Sequence, residues 1–218
     1  MIFRDRTEAG QVLSSNLLDY ANRDDVVVLA LPRGGVPVAF EVAKALHAPL
    51  DVFVVRKLGV PGHEELAMGA TASGQVRVLN EDLIKSLRIP EETIHSVAAQ
   101  EEKELERRET LYRGTRSPAE VKNKTVILVD DGLATGSTMR AAVVALRRRE
   151  PAHIIAAVPV SAASTCDEFK HEVDEIVCAK TPEPFYAVGE WYEDFSQTTD
   201  EEVKRLLDLA AKETGQSA

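Results

Sequence analysis

A chain of 218 residues, 44% hydrophobic and 28% charged, carries enough apolar material for one packed domain with additions and too little for several. Its formal net charge of −10 argues against broad nucleic-acid binding, and no apolar run approaches the ~18 residues that a membrane span needs. The charged opening, Met1 to Asp5, predicts no secretory leader. The two cysteines, Cys166 and Cys178, lack CxxC spacing and predict a reduced, cytoplasmic protein in which both merely pack.

In chain order, residues 5–22 place Val12, Leu13, Leu17, Leu18 and Tyr20 largely on one side of a helix. The run Val26 to Leu31 is too short for a buried helix and reads as a buried parallel strand, followed by a helix over 36–47 and a strand over 51–55. Between that strand and the next lies a long stretch, 56–124. Its first part, 59–78, is rich in glycine and predicts a hairpin pairing Met68–Thr71 with Val76–Leu79. Its second part, 90–113, predicts a charged helix opened by Pro90, Glu91 and Glu92 with only a thin apolar stripe, a cap over the sheet. Strand 125–129, helix 137–149, strand 153–159, helix 162–171 and strand 173–178 complete the pattern, and the tail after Thr214 is expected to fray. Strands alternating with helices predict a single α/β domain over 1–218 with a mainly parallel, doubly wound sheet.

The segment Val126 to Thr138 concentrates the chemistry. A buried strand delivers Asp130 and Asp131 to the carboxyl edge of the sheet, where open α/β folds bind ligands. Gly132 to Gly136 are small enough for backbone N–H groups to turn inward, and a helix begins near Ser137. Backbone donors, the hydroxyls of Thr135, Ser137 and Thr138, and a helix N-terminus suit a phosphate monoester. The loop lacks the GxxxxGK[ST] pattern of a nucleotide P-loop. The paired acids suit vicinal ribose hydroxyls with Mg²⁺ nearby.

This segment resembles the phosphoribosyl pyrophosphate (PRPP) motif of type I phosphoribosyltransferases. The resemblance spans most of 24–195, and the stretches PRGG, RKLG, VDDGLATGST and EWYEDF are similar to those of a bacterial phosphoribosyltransferase-like family. It implies a five-stranded, mainly parallel sheet, a lid with a helical insertion (56–124) and a short hood (179–200). It assigns ribose hydroxyls to Asp130 and Asp131, which would also bear indirectly on Mg²⁺, and the 5′-phosphate to Ala134, Thr135, Gly136, Ser137 and Thr138. The Arg33-Gly34-Gly35 turn is similar to the family's pyrophosphate loop, which often contains a cis non-proline peptide. There Gly34 and Gly35 allow unusual dihedrals and close approach, and Arg33 offers a fork of donors.

Arg56 and Lys57 open a basic stretch similar to the family's mobile lid, which keeps water from an oxocarbenium-like ribose, and the resemblance makes Arg33, Arg56 and Lys57 the catalytic groups that serve the leaving pyrophosphate. His63-Glu64 is not a zinc motif, because Ala67 stands where a second His belongs. Residues 182–195 hold five of the chain's eleven aromatics. The resemblance makes this segment the hood, with Glu190, Trp191 and Tyr192 facing the acceptor. Enzymes for hypoxanthine and guanine carry an acid at the position of Ala134, so those bases are expected to be poor acceptors. The implied activity moves a 5-phosphoribosyl group from PRPP to a nitrogenous base or related small acceptor, with Mg²⁺ as cofactor; a homodimer is compatible with it. Two alternatives stay open: a PRPP- or nucleotide-sensing regulator without turnover, and an enzyme with a non-nucleobase acceptor.

Overall fold

A computed structural model describes residues 2–213; the frayed tail expected after Thr214 lies outside them. Five parallel strands form the main sheet in the order β2-β1-β6-β7-β8: β1 (Val26–Ala30), β2 (Leu50–Val52), β6 (Thr125–Val129), β7 (His153–Val160) and β8 (Glu175–Lys180). Three further strands, β3 (Val55–Val60), β4 (His63–Ala72) and β5 (Val76–Leu79), make a separate antiparallel sheet.

The main sheet is covered on both faces, which is why its central strands read as unbroken apolar runs. Side chains still alternate. Val26, Val28 and Ala30 join a cluster with α1 (Arg6–Ser15), α2 (Gly35–Leu46) and α7 (Asp200–Glu213). Val27 and Leu29 join another with α5 (Ser137–Arg147) and α6 (Ala163–Phe169). The doubly wound α/β architecture expected from the strand–helix alternation is therefore the one observed.

The insertion differs from expectation in one respect. Arg56 to Leu58, expected in a flexible loop, lie in β3, which pairs with β4 from Val55–Ala72 to Val60–His63. The β4–β5 pair is the hairpin expected from Met68–Thr71 and Val76–Leu79. Leu58, Val60 and Met68 make a small core with Ile94 and Ala98 of α4 (Glu91–Arg113), which accounts for that helix's thin apolar stripe. A short helix α3 (Glu81–Leu87) links the small sheet to α4. At the far end of α4, Arg113 donates to Asp51 at 2.8 Å and to the Val52 carbonyl at 2.7 Å, fastening the insertion to β2.

The cysteines also correct the expectation. Cys166 on α6 and Cys178 on β8 form a disulfide across a separation of 12 residues. Sequence spacing misses such a pair because a helix returning over the neighbouring strand brings distant positions together.

Candidate functional site

The site is assembled at the carboxyl edge of β6, the central strand of the main sheet. Asp130 and Asp131 follow Val129 directly, and the Asp131 N–H donates to Asp130 Oδ1 at 2.9 Å. Burial, reinforced by the neighbouring Asp131 charge, pushes the Asp130 carboxyl well above the usual carboxylate range. Burial also raises Asp131, but there the Arg6 guanidinium pulls the other way. Arg6 Nε sits 2.9 Å from Asp131 Oδ2, and both side chains are largely enclosed, at 12% and 16% exposure.

The loop after the acids rises to α5. Gly136 caps that helix in the left-handed region (φ 70°), and a Cβ there would collide with the Phe169 ring of α6. Ala134, Thr135, Ser137 and Thr138 are exposed, so the loop's hydroxyls and the first turn of α5 face solvent as a phosphate cradle would. Helix α6 braces this loop: Thr165 Oγ1 donates to the Ala134 carbonyl at 2.7 Å. Arg140 donates to the Thr135 carbonyl at 2.5 Å and to Glu168 and Glu172.

The Arg33-Gly34-Gly35 turn lies beside the acids, and the Pro32–Arg33 peptide is cis. The glycines are there for space rather than for unusual dihedrals, since Gly34 has ordinary helical angles (φ −59°, ψ −32°). A Cβ on Gly34 would collide with Asp131 Oδ2. One on Gly35 would lie 2.7 Å from the Val129 carbonyl oxygen and 3.0 Å from Asp130 Cα. Arg33 is one-third exposed and sits 3.8 Å from Asp200 at the start of α7, which also accepts from Tyr112 at 2.7 Å.

Lys57 reaches the phosphate loop, its Nζ donating to Ser137 Oγ at 2.8 Å. Arg56 does not. Neighbours on a strand point to opposite faces, so Arg56 turns to α4 and pairs with Glu101 at 2.6 Å. The expectation that both cations face one ligand thus meets a geometric limit: strand pairing separates them.

The hood is likewise split. Tyr192, expected to face an acceptor, is buried against Phe3 and donates to the Asp131 carbonyl at 2.6 Å. Its phenol is held above the ordinary range by burial and by the Asp131 charge. Its ring braces the acid pair and presents no face to a ligand. Trp191 stacks on Phe185 at 6.4 Å, and its buried indole N–H has no hydrogen-bond partner among the described residues. Glu190 is exposed. The hood is anchored by the chain's beginning: Phe3 N–H donates to the Trp191 carbonyl, and Glu193 N–H to the Phe3 carbonyl, both at 2.8 Å.

Sequence reasoning missed Arg6, Thr165 and Arg140, all polar residues on helices whose partners lie on other elements. A 530 Å³ cleft between the small sheet and α4 has Glu102, Glu106 and Glu109 as its charged lining, which does not suit a phosphate. Among the described residues no cluster of three His, Cys, Asp or Glu could hold a metal ion. No helix of theirs is long and apolar enough to cross a membrane.

Residues 6–190 match the family model described as phosphoribosyl transferase domain. Two curated relatives from Mycobacterium tuberculosis, named "Putative phosphoribosyl transferase Rv0571c" (strain H37Rv) and "Putative phosphoribosyl transferase MT0597" (strain CDC 1551), are each 43% identical over 212 residues. The alignment covers 97% of this chain but 48% of each relative, so the chain spans about half their length. The crystal structure of TT1426 from Thermus thermophilus is 40% identical and superposes with a TM-score of 0.83, covering 95% of this chain and 98% of that one.

Proposed function

The chain belongs to the phosphoribosyl transferase domain family, and on that premise we propose that it transfers 5-phosphoribosyl from PRPP to a nitrogenous acceptor with release of pyrophosphate. The observation that carries this reading is the Asp130–Asp131 pair at the edge of β6, running through a left-handed Gly136 into the first turn of α5. In this reading the exposed hydroxyls and N–H groups of 134–138 hold the 5′-phosphate and the acids receive the ribose hydroxyls. Arg33 and Lys57 flank the diphosphate.

The anomeric carbon–oxygen bond breaks with its electron pair leaving on the diphosphate, and the acceptor's nitrogen lone pair forms the new carbon–nitrogen bond. The acceptor's proton passes to solvent or to the departing diphosphate. Preorganised cations at the leaving group supply the main catalytic effect; one such donor is worth on the order of 10²–10³ in rate. Lys57, already docked on the loop through Ser137, is the group placed to act there; Arg56 would first have to leave Glu101.

Mg²⁺ is part of this proposal. With two carboxylates at hand among the described residues, one of them paired with Arg6, the donor set fits an ion carried mainly by the ligand's own oxygens, with Asp130 and Asp131 contributing through the ribose hydroxyls. Such an ion would neutralise diphosphate charge.

Ala134 offers no proton acceptor to a 6-oxopurine, so hypoxanthine and guanine should be slower than another base by about the 10²–10⁴-fold that general-base help provides. The test is PRPP-dependent pyrophosphate release by the purified chain across a panel of nitrogenous acceptors. Release with one of them, and not with guanine, supports the proposal. PRPP binding with no release under any acceptor favours a sensor instead, and efficient guanine conversion refutes the acceptor assignment.

A further inference from the structure

Arg6 lies 125 positions from Asp131 in the chain, yet its guanidinium is built into the site from three sides. Nε donates to Asp131 Oδ2 at 2.9 Å, Nη1 donates to the Ser196 carbonyl at 2.7 Å, and the Phe195 ring lies under the guanidinium carbon at 4.1 Å. The acid is gripped elsewhere too, its backbone carbonyl accepting from the Tyr192 hydroxyl at 2.6 Å. Gly34 leaves room for the pair: an added Cβ would collide with Oδ2 and come 3.3 Å from Arg6 Nε.

We propose that Arg6 is a positioning residue for ribose recognition, holding one oxygen of Asp131 so that the other is presented to a ribose hydroxyl. This rests on the ribose role of Asp131 in the reading above. The physical argument is one of preorganisation. A free aspartate samples several side-chain angles, and a ligand that needs one of them must supply the ordering. Here a charge-assisted bond to Oδ2 selects the angle in advance. The guanidinium is itself immobilised by a backbone carbonyl and an aromatic ring of the hood, so the N-terminal helix and the hood act on the ligand through a single carboxylate. A carboxylate has two oxygens that accept independently, and the bond from Arg6 is made to Oδ2, which leaves Oδ1 outside this pairing.

The assignment separates Arg6 from groups that serve the diphosphate. Arg33, next to Gly34 in the chain, makes its contact with Asp200. Loss of Arg6 should therefore weaken a ligand that has a ribose and spare one that has only the diphosphate.

The experiment is calorimetric titration of the full chain with PRPP and, separately, with pyrophosphate, each with Mg²⁺, for the unsubstituted protein, Arg6→Gln, Arg6→Lys and Phe195→Ala. Arg6→Gln is expected to weaken PRPP by roughly 10- to 100-fold, the range for losing a bond to a charged group, while pyrophosphate affinity stays unchanged. Arg6→Lys should recover part of the loss. Phe195→Ala, which loosens the guanidinium without removing it, should give a smaller loss in the same direction and keeps the question answerable if Arg6→Gln does not fold. Unchanged PRPP affinity in Arg6→Gln, equal losses for both ligands, or a lysine variant no better than glutamine would overturn the positioning role while leaving the transferase reading intact. An unsubstituted chain that binds pyrophosphate but not PRPP overturns both.

Discussion

Thr165 Oγ1 donates to the Ala134 carbonyl at 2.7 Å, so helix α6 and the phosphate-type loop share a direct tie. A neutral hydrogen bond of this kind contributes about 0.5–1.5 kcal/mol. Thr165→Val keeps the shape and deletes the donor. It should weaken PRPP binding by roughly 2- to 10-fold and lower the melting temperature by about 1–6 °C. Calorimetry on the folded variant checks this, and an unchanged affinity would show that the loop holds its form without α6.

The same helix carries Cys166, bonded to Cys178 on β8 across 12 residues. Closing a loop of that size stabilises by about 3 kcal/mol in the chain-entropy account. Adding a dithiol should therefore lower the melting temperature by roughly 6–12 °C for a domain of this length. The doubly substituted Cys166→Ser, Cys178→Ser chain should melt at the lower temperature and ignore the dithiol. A wild-type melt indifferent to reductant would argue that the bond does not form in solution.

The two glycines after Arg33 should fail differently. An added methyl at Gly35 meets the backbone, 2.7 Å from the Val129 carbonyl oxygen, so Gly35→Ala should cost about 1–3 kcal/mol of stability. At Gly34 the obstacle is the Asp131 carboxylate, the movable end of a side chain. Gly34→Ala should cost less stability than Gly35→Ala and reduce PRPP affinity by about tenfold, because the carboxylate loses its alignment with Arg6. Paired thermal melts and titrations separate the two outcomes.

Alkaline pH supplies a further check. The buried Tyr112 hydroxyl is pushed from 10.0 up to about 12, first by burial and then by its hydrogen bond to the Asp200 carboxylate. Its folded-state value is raised, so the folded chain holds the proton longer than the unfolded one. Its contribution to stability is complete below pH 10.0 and is lost as the pH climbs from there to about 12. Tyr112→Phe should flatten that part of the pH–stability curve, and ultraviolet titration of tyrosinate should show one fewer late-ionising ring. A variant that declines as steeply as wild type would remove Tyr112 from the account.

Much of the molecule was legible because its signals are local. Val126 to Val129 is a strand on composition alone, and Asp130 to Thr138 carries its chemistry in consecutive residues. The misses share a cause. Arg56 and Lys57 read as a loop through their likeness to the family's lid, but Leu58 and Val60 needed the α4 face to reveal a buried strand side. Helix α7 was not anticipated, although Val203, Leu206, Leu207 and Ala210 recur at helical spacing beneath its charged surface. Tyr192 looked like a base-stacking ring because aromatic content says nothing about direction; its contacts with Phe3 and Asp131 are set by the tertiary fold. Arg6 carried no signal at all in a one-dimensional reading, since its meaning lies in a partner 125 positions away.

Placing Lys57 on a paired strand has a mechanical consequence. A loop can release a ligand by local wriggling, but β3 is held along its length by β4, and β4 in turn by β5. Ser73 clamps the root of this plank, accepting from the Val54 N–H through its hydroxyl and donating its own N–H to the Val54 carbonyl. The backbone that carries Lys57 is therefore part of a braced panel backed by α4 through Leu58, Val60, Met68, Ile94 and Ala98, and the flexible side chain alone spans the gap to Ser137. A substitution that loosens the Val54–Ser73 clamp is then expected to weaken the presentation of Lys57 to Ser137 without touching either residue.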